Sequence, residues 1–349
     1  MTDDADRAAN PLGLDGFEFC EFTSPDPAAM ARQFEQLGFA PTHRHPTKNI
    51  TRYKQGGINL MLNRDADGRV AAFRNRHGAS ASAMAFRVTD PAAAMAWALD
   101  HGAERTSEND NVIKGIGGSY LYFIEKGSDP YADWAEFDGW QEAEAANNVG
   151  LDLLDHLTHN VRRGQMRVWS EFYQTLFGFE EQKWFDIKGQ ATGLFSQAMI
   201  APDRAIRIPL NESQDDHSQI EEYLREYGGE GIQHLALATN DIYSTVEKLR
   251  ARGVKLQDTI ETYYELVDAR VPGHGEDLER LRANRILIDG DVEQEGILLQ
   301  IFTENLFGPI FFEIIQRKGN EGFGNGNFQA LFDSIELDQI RRGVIKVDA

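Results

Sequence analysis

The sequence is almost free of cysteine, since its 349 residues contain only Cys20. A single cysteine excludes an intrachain disulfide and a zinc site built from cysteine thiolates, so a hydrophobic core must stabilise the fold. Cys20 stands beside Phe19 and Phe22, and we expect it to fill space in that core. The length is sufficient for two domains of ordinary size.

Long hydrophobic runs and an excess of positive charge are also absent. No apolar run approaches the roughly 18 residues of a transmembrane helix, and the first residues lack the basic and apolar pattern of a signal peptide. The formal net charge of −21 disfavours nucleic acids and anionic membranes as partners, because both repel an acidic surface. We therefore expect a cytoplasmic enzyme with no nucleic-acid or membrane partner.

Three potential metal ligands each occupy a separate apolar segment. They are His156 in Leu-Asp-His-Leu-Thr-His, His234 in Gly-Ile-Gln-His-Leu-Ala-Leu and Glu313 in Ile-Phe-Phe-Glu-Ile-Ile. A lone histidine in such a segment is more often structural than a ligand, but here 78 residues separate the two histidines and 79 separate His234 from Glu313. Two imidazoles and one carboxylate are the ligand set of non-heme Fe(II) centres that keep open positions. We predict one Fe(II) per chain, bound by these three residues.

Glu313 and His159 carry two further expectations. A carboxylate buried among isoleucines is costly unless a positive group lies beside it, so Glu313 is expected to face a cation. Side chains alternate across a strand, so His159 is expected to point away from His156 and to have a structural role.

A pattern of strand, polar turn, helix and glycine-containing exit occurs four times. The four predicted helices cover residues 30–39, 92–102, 166–179 and 242–253. Their apolar residues recur at i, i+3 and i+4, and Asp or Asn residues before the second and fourth helices are predicted N-caps. Further strand-like stretches lie at 50–62, 118–125, 193–209 and 296–315. The unit is a strand and a helix followed by several strands, and four units form two pairs.

This arrangement resembles the vicinal oxygen chelate superfamily, whose paired βαβββ modules curl a sheet around a metal. The resemblance implies an α+β fold of two tandem domains, each with a curled mixed sheet, and a C-terminal lid helix. We predict a scaffold domain at 1–150 and a catalytic iron domain at 151–349. The first-half counterparts of the three ligands are predicted to be Glu18, Ala83 and Leu121, which cannot hold a metal.

Six short stretches of the second half occur in a characteristic order. They are Asp-His-Leu-Thr-His-Asn at 155–160, Arg-Ile-Pro-Leu-Asn-Glu at 207–212, Gly-Ile-Gln-His at 231–234, Leu-Leu-Gln-Ile-Phe at 298–302, Phe-Glu-Ile-Ile-Gln-Arg-Lys-Gly at 312–319 and Gly-Phe-Gly-Asn-Gly-Asn-Phe at 322–328. In these stretches the second half resembles the 4-hydroxyphenylpyruvate dioxygenase family, and the first half is compatible with it.

The resemblance implies an activity and a set of site residues. The substrates would be 4-hydroxyphenylpyruvate and O2, converted to homogentisate and CO2 in tyrosine and phenylalanine catabolism by oxidative decarboxylation, ring hydroxylation and side-chain migration. The polar residues implied at the reacting groups are Ser196, Asn211, Gln219, Gln233 and Gln300. The implied substrate-binding wall consists of Pro209, Phe302, Phe311, Phe323, Asn327 and Phe328. We also expect a homo-oligomer, a dimer or a tetramer.

Two parts of this site depend on local geometry. Gln233 directly precedes His234, so both side chains reach one pocket only if the strand twists or bulges there. The glycines of 322–327, followed by apolar residues at helical spacing, predict a hinge and an amphipathic lid helix with Asn327 as its N-cap. A helix that only seals the core is the alternative.

Three other activities are compatible with the same fold. Hydroxymandelate synthase shares the substrate and the ligands but hydroxylates the side chain, and Pro209, Asn211 and Phe328 favour the dioxygenase. An extradiol catechol dioxygenase is expected to carry an acid–base histidine or tyrosine near the metal, and no histidine is predicted there. A non-catalytic binding protein of this fold needs no iron ligands beside an oxygen site.

Overall fold

The computed structural model describes residues 10–106, 111–188, 193–327 and 329–331. These residues form two mixed sheets of eight strands each, one in each half of the chain. The first sheet contains β1 (Phe17–Thr23), β2 (Ala40–Arg44), β3 (Ile50–Gln55), β4 (Ile58–Asn63), β5 (Ser80–Val88), β6 (Val112–Lys114), β7 (Tyr120–Glu125) and β8 (Ala135–Glu136). The second contains β9 (Leu151–Val161), β10 (Glu180–Lys188), β11 (Gly193–Ile200), β12 (Arg207–Ser213), β13 (Gly231–Thr239), β14 (Leu287–Asp291), β15 (Gly296–Phe302) and β16 (Phe311–Lys318).

The two sheets repeat one topology, which confirms the predicted duplication. The strand order is β8-β2-β3-β4-β1-β5-β7-β6 in the first and β10-β11-β12-β9-β13-β16-β15-β14 in the second. The run from β2 to β6 corresponds to the run from β10 to β15, with parallel and antiparallel pairs in the same places. The outer strands differ: β8 pairs with β2 at one edge of the first sheet, whereas β14 extends the opposite edge of the second.

Helices connect many of the strands. They are α1 (Pro27–Gln36), α2 (Gly68–His77), α3 (Pro91–Asp100), α4 (Trp140–Asn147), α5 (Met166–Phe177), α6 (Gln219–Tyr227), α7 (Ile242–Ala251), α8 (Glu261–Glu265), α9 (Val267–Arg270) and α10 (Leu278–Asn284). The repeat predicted α1, α3, α5 and α7, one for each module, and the other six were not predicted.

The predicted ends of these helices agree with their hydrogen bonds. Asp90 Oδ1 accepts from the backbone N–H groups of Ala92 and Ala93 at the start of α3. Asp241 caps α7 in the same way through the N–H of Ser244. Gly178 ends α5 with a φ of 70°, a left-handed conformation that favours glycine.

One hydrophobic core runs through both halves. Phe22 of β1 contacts Phe307 and Phe312 of the second half, with ring centroids 5.5 Å and 6.3 Å away. Phe86 of β5 contacts Phe177 of α5 with a centroid separation of 5.3 Å. The two sheets are therefore held together by shared burial of aromatic rings. Among the described helices, none is both long and apolar enough to cross a membrane.

Candidate metal centre

The three predicted ligands lie on neighbouring strands of the second sheet. His156 is on β9, His234 on β13 and Glu313 on β16, and all three side chains are buried. One donor atom from each lies within 4.8 Å of the other two, so among the described residues they form a group that could hold a metal ion. The spacing in the sequence therefore identified side chains that the sheet brings together.

A hydrogen bond behind each imidazole turns its Nε2 toward Glu313. His156 Nδ1 donates to Asp155 Oδ1 over 2.8 Å. His234 Nδ1 donates to Gln233 Oε1 over 3.0 Å. The Nε2 atoms of His156 and His234 are then 3.2 Å and 3.5 Å from Glu313 Oε2. Partners of this kind fix the tautomer of a metal-binding histidine and increase its basicity.

These donor atoms point at one another, which is unfavourable unless a positive charge lies between them. Glu313 Oε1 is also buried without a hydrogen-bond partner. Burial opposes ionisation of Glu313, but attraction to His156 and hydrogen bonds from both imidazoles lower its pKa to about 2. Burial opposes the charge on His156 as well, yet Glu313 and Asp155 raise its pKa. At His234 burial dominates and lowers the pKa. The residues present fit a divalent cation.

The predicted cation beside Glu313 is not an arginine. Arg317, which follows Glu313 by four residues on β16, pairs with Asp155 through two hydrogen bonds of 2.8 Å. Burial would raise the pKa of Asp155, but hydrogen bonds from Arg317 and His156 hold it well below its ordinary value. This pair behind His156 was missed in the sequence. The only signals in the sequence were an aspartate directly before a ligand and an arginine at an even separation from Glu313, which puts both side chains on the same face of the strand.

A β-bulge places Gln233 and His234 on the same side of β13. Ile232 pairs with His159 of β9, and His234 pairs with Thr158, the neighbour of His159. Two steps along β13 thus match one step along β9, so Gln233 is the extra residue. The bulge therefore lets the side chains of Gln233 and His234 reach one pocket, which strict strand alternation would prevent. His159 itself points to the opposite face, where its Nε2 lies 2.7 Å from the hydroxyl of Tyr173.

A cavity of about 310 Å³ opens beside the three ligands. The predicted site residues on its wall are Ser196, Pro209, Asn211, Gln219, Gln233, Gln300, Phe302, Phe311, Phe323 and Asn327. They come from strands across the second sheet, from α6 and from the segment after β16, so the sheet curls around this space.

Aromatic rings cover the ligands on the cavity side. Phe311 stacks on His234 with ring centroids 4.8 Å apart, and Phe302 meets Phe311 edge-on at 5.9 Å. Phe323 packs against His156 in the same edge-on manner at 5.2 Å. These contacts place apolar surface around the imidazoles, which limits access of water to the ligands.

Asn327 is not the N-cap that the sequence predicted. Residues 325–327 and 329–331 are helical, and the N–H of Asn327 donates to the carbonyl of Gly324, so the helix has already begun. The Asn327 side chain instead accepts from the Tyr263 hydroxyl over 2.6 Å and donates to Gln300 Oε1 over 3.3 Å. Phe328 and residues 332–349, which include most of the predicted lid helix, lie outside the described residues.

Other parts of the wall were not predicted. The Thr158 hydroxyl lies 3.0 Å from His234 Nε2, and its position two residues after His156 was the signal that could have found it. Arg285 also lines the cavity and pairs with Asp258 at 2.9 Å. Nothing in the local sequence of Arg285 indicated this position.

Among the described residues, the first half has no equivalent ligand set, although the predicted counterparts were partly wrong. Pairing of β1, β5 and β7 aligns Ala83 with His234, as predicted, but the positions of the other two ligands hold Phe19 and Tyr122. Glu18 and Leu121 are each one residue away. Leu121 lies on a regularly paired strand and so faces away from Tyr122, whereas Glu18 is the extra residue of a β-bulge beside Phe19.

Comparison with known proteins agrees with this site. Residues 8–135 match a family described as "Hydroxyphenylpyruvate dioxygenase, HPPD, N-terminal", and residues 153–266 match the "Glyoxalase/Bleomycin resistance protein/Dioxygenase superfamily". The chain is 54% identical to a 4-hydroxyphenylpyruvate dioxygenase of Pseudomonas aeruginosa, over 96% of this chain and 97% of the relative. The chain belongs to the 4-hydroxyphenylpyruvate dioxygenase family. A second 4-hydroxyphenylpyruvate dioxygenase, from Legionella pneumophila strain Corby, is 50% identical over 97% of this chain and 98% of its own length.

The 4-hydroxyphenylpyruvate dioxygenase fold also occurs in a solved structure of another enzyme. A triple mutant of 4-hydroxymandelate synthase from Streptomyces coelicolor superimposes with a TM-score of 0.79. It is 27% identical in sequence and covers 94% of this chain and 100% of its own.

Proposed function

We propose that this chain is an Fe(II)-dependent enzyme that converts 4-hydroxyphenylpyruvate and O2 to homogentisate and CO2. The observation that carries the proposal is the buried group of His156, His234 and Glu313, which opens onto a cavity lined by aromatic rings and side-chain amides. Relatives of this name, 50% and 54% identical over nearly the whole chain, support the same activity.

The donor set favours Fe(II) over other cations. Two neutral imidazoles and one carboxylate on one face are typical of non-heme iron oxygenases. When bound, Fe(II) supplies open positions for an α-keto acid and dioxygen, and the electrons that activate dioxygen. One carboxylate ligand leaves the centre with a net charge of about +1, so a monoanionic keto acid neutralises it without an arginine.

The protein keeps the two imidazoles correctly turned. Asp155 and Gln233 hold the Nδ1 protons, so the Nε2 lone pairs of both histidines stay directed at the metal position. Phe311 and Phe323 exclude water from the same imidazoles. A water-poor site also protects reactive intermediates from side reactions.

The cavity wall orients the substrate. Its polar residues in our proposal are Ser196, Asn211, Gln219, Gln233 and Gln300, which offer hydroxyl and amide groups to the phenol and to the keto acid. Phe302 and Phe311 provide flat apolar surface for the ring. Asn327 is held in this wall by Tyr263 and Gln300.

Product analysis tests the proposal. The protein is loaded anaerobically with Fe(II) and incubated in air with 4-hydroxyphenylpyruvate, and the aromatic product is identified by chromatography. Homogentisate, with one CO2 released for each O2 consumed, is expected. Glu313→Gln serves as the matched control, because it keeps the side-chain volume but removes the ligand charge.

Two outcomes would replace the proposal. Hydroxymandelate as the product would identify a synthase, an alternative that the structural similarity to hydroxymandelate synthase favours. Absence of both oxygen uptake and bound Fe(II) would instead favour a binding protein of the same fold.

We also propose a cytoplasmic location and a homo-oligomer, a dimer or a tetramer. Leu153, Val168 and Trp184 are large apolar side chains of the second half that are about half exposed. Exposed apolar surface of this kind is common at subunit contacts. Light scattering of the purified protein measures the oligomeric state.

A further inference from the structure

Arg317 contacts two parts of the molecule at once. Its Nε and Nη2 each donate to the carboxylate of Asp155 over 2.8 Å. Its Nη1 donates to the backbone carbonyls of Asn320 over 3.0 Å and Gly322 over 2.6 Å. Asp155 in turn holds the Nδ1 proton of His156. One guanidinium therefore joins a metal ligand to the chain segment that follows β16.

That segment, residues 320–324, forms the cavity wall beside His156. Phe323 packs edge-on against the imidazole at 5.2 Å, and the Arg317 guanidinium lies 5.7 Å from the centre of the same ring. The next residue is Gly324, with a φ of 70°, and a Cβ built on it would lie 1.5 Å from Gln300 Oε1. A small displacement of the segment would therefore alter both the cavity and the surroundings of a ligand.

The residue type matters for this connection. Asp155 is 2% exposed, so its charge needs a partner with fixed geometry. Arginine offers five N–H donors in a rigid plane, and Arg317 uses one edge for the carboxylate and the remaining nitrogen for two carbonyls. Lysine could neutralise Asp155 but could not reproduce this arrangement of donors.

We infer that Arg317 is a positioning residue that couples metal binding at His156 to the placement of the 320–324 wall. A cation on Nε2 polarises the imidazole and strengthens the Nδ1 hydrogen bond to Asp155, which in turn orients the guanidinium. By thermodynamic reciprocity, a correctly placed wall strengthens metal binding. The inference rests on the metal centre of the proposed function but does not depend on which substrate is used.

A second anchor of the same segment provides the matched control. Glu321 forms an ion pair with Arg207 of β12, and the side chains of Asp155 and His156 are hydrogen-bonded to other residues. Glu321→Gln therefore loosens the wall without changing the partner of the ligand. Arg317→Gln loosens the wall and also removes the partner of Asp155, which holds His156.

The test measures metal affinity and amide hydrogen exchange without using activity. Fe(II) is added anaerobically, its dissociation constant is obtained by competition with a chelator, and exchange is followed over 320–327. The N–H groups of Gly322 and Gly326 are suitable probes, because they bond to Asn320 Oδ1 and Asp289 Oδ2 over 2.7 Å and 2.8 Å.

Three results are expected. In the unmutated protein, Fe(II) slows exchange at Gly322 and Gly326. In Arg317→Gln, the dissociation constant rises by about 10- to 100-fold, as for other residues that orient metal ligands, and exchange no longer responds to Fe(II). In Glu321→Gln, exchange is faster than in the parent but still slows when Fe(II) is added, and the dissociation constant rises by less than about tenfold, because the link through Arg317 and Asp155 is intact.

Other results would overturn the inference. One such result is hydrogen exchange in the unmutated protein that does not change when Fe(II) is added. Another is parental Fe(II) affinity in folded Arg317→Gln. Either would show that Arg317 does not couple metal binding at His156 to the 320–324 wall. If circular dichroism shows that Arg317→Gln does not fold, Arg317→Lys takes its place, and a parental response in that variant contradicts the inference. Failure of the unmutated protein to bind Fe(II) would overturn the proposed function too. If the protein binds Fe(II) and turns over substrate but exchange at 320–327 does not change with Fe(II), the inference about Arg317 is wrong and the proposed function stands.

Discussion

The two halves share a strand order, yet only the second builds a metal centre among the described residues. Strand register identifies the residues of the first half that stand at the ligand positions. Phe19 corresponds to His156, Ala83 to His234 and Tyr122 to Glu313. In the first half, the rings of Phe19 and Tyr122 pack against each other at 5.5 Å and line a cavity of about 400 Å³. At the positions of the three ligands, the first sheet thus has two aromatic rings and an alanine, and the two rings line a pocket.

The buried carboxylates of the two sheets show the same contrast. Glu21 accepts hydrogen bonds from Arg69, Ser82 and Asn63 over 2.8 Å, 2.7 Å and 3.0 Å. Glu313 faces two imidazoles, and its Oε1 has no hydrogen-bond partner. A fully paired carboxylate stabilises a structure, whereas an underpaired one is available to a ligand. The comparison teaches that pairing, and not burial, distinguishes the two roles.

Loss of any ligand is expected to give the largest effect. His156→Ala, His234→Ala and Glu313→Ala should each lower the rate of oxygen uptake by at least about 1,000-fold, because the metal contributes several kcal/mol of transition-state stabilisation. Iron content should fall from one per chain toward zero, while circular dichroism stays that of a folded protein. His159→Ala is the control and should keep its iron. Iron loss in that variant alone would show that the assignment of the ligands is wrong.

The corresponding change in the first half should affect stability and not iron. Glu21→Gln leaves Arg69 partly buried without its partner, so we expect the free energy of unfolding to fall by about 3 kcal/mol in urea titrations. Elemental analysis should still find one iron per chain, as it should for Glu18→Gln. Two irons in the unmutated protein would contradict the contrast between the halves.

Acid should weaken the second half through His159. Burial lowers the pKa of this imidazole to about 3, whereas an exposed histidine titrates near 6.5. Between these values the unfolded chain binds a proton that the folded chain excludes, so the stabilising contribution is complete above pH 6.5 and decreases as the pH falls. Metal-free protein should lose about 2 kcal/mol more between pH 7 and pH 5 than His159→Phe does. Equal losses in urea titrations of the two proteins would mean that folded His159 accepts a proton.

Aromatic residues of the two cavities should give the smallest effects, and unequal ones. Phe311→Leu removes the ring stacked on His234, and a shape change in an apolar site is worth roughly 1–3 kcal/mol, so kcat/KM should fall about tenfold. Trp134→Phe, in the first-half cavity, should leave kcat/KM within about twofold of the parent. A comparable loss in both variants would indicate that the first-half cavity takes part in turnover.

The ligands could be predicted from sequence because their spacings of 78 and 79 residues are nearly equal and each stands out in an apolar strand. Strand phase could not be predicted in the same way. Glu18 and Leu121 were assigned one residue away from the correct positions, because a single irregular pairing changes which side chains share a face. β1 contains two such irregularities in its pairing with β5.

Contacts between distant segments of the chain were the second feature that could not be predicted from the sequence. Asp155 and Arg317 are 162 residues apart, and neither has a local pattern that names its partner. Gln219 was assigned to the site by resemblance, although its helix, α6, was not predicted. Such contacts follow from how the sheet curls, which sequence periodicity does not describe.

The bulge at Gln233 makes this site sensitive to the number of residues in β13 as well as to their identity. Substitutions there alter one chemical group at a time. Deletion of Gln233, the extra residue, would instead restore strict alternation and leave Ile232 and His234 paired with β9 as before, whereas deletion at a regularly paired position of β13 would move the following side chains to the opposite face. Codon loss and codon change are therefore unequal events at this strand, and in a library of single-residue deletions across β13 the deletion of Gln233 should retain the most iron binding.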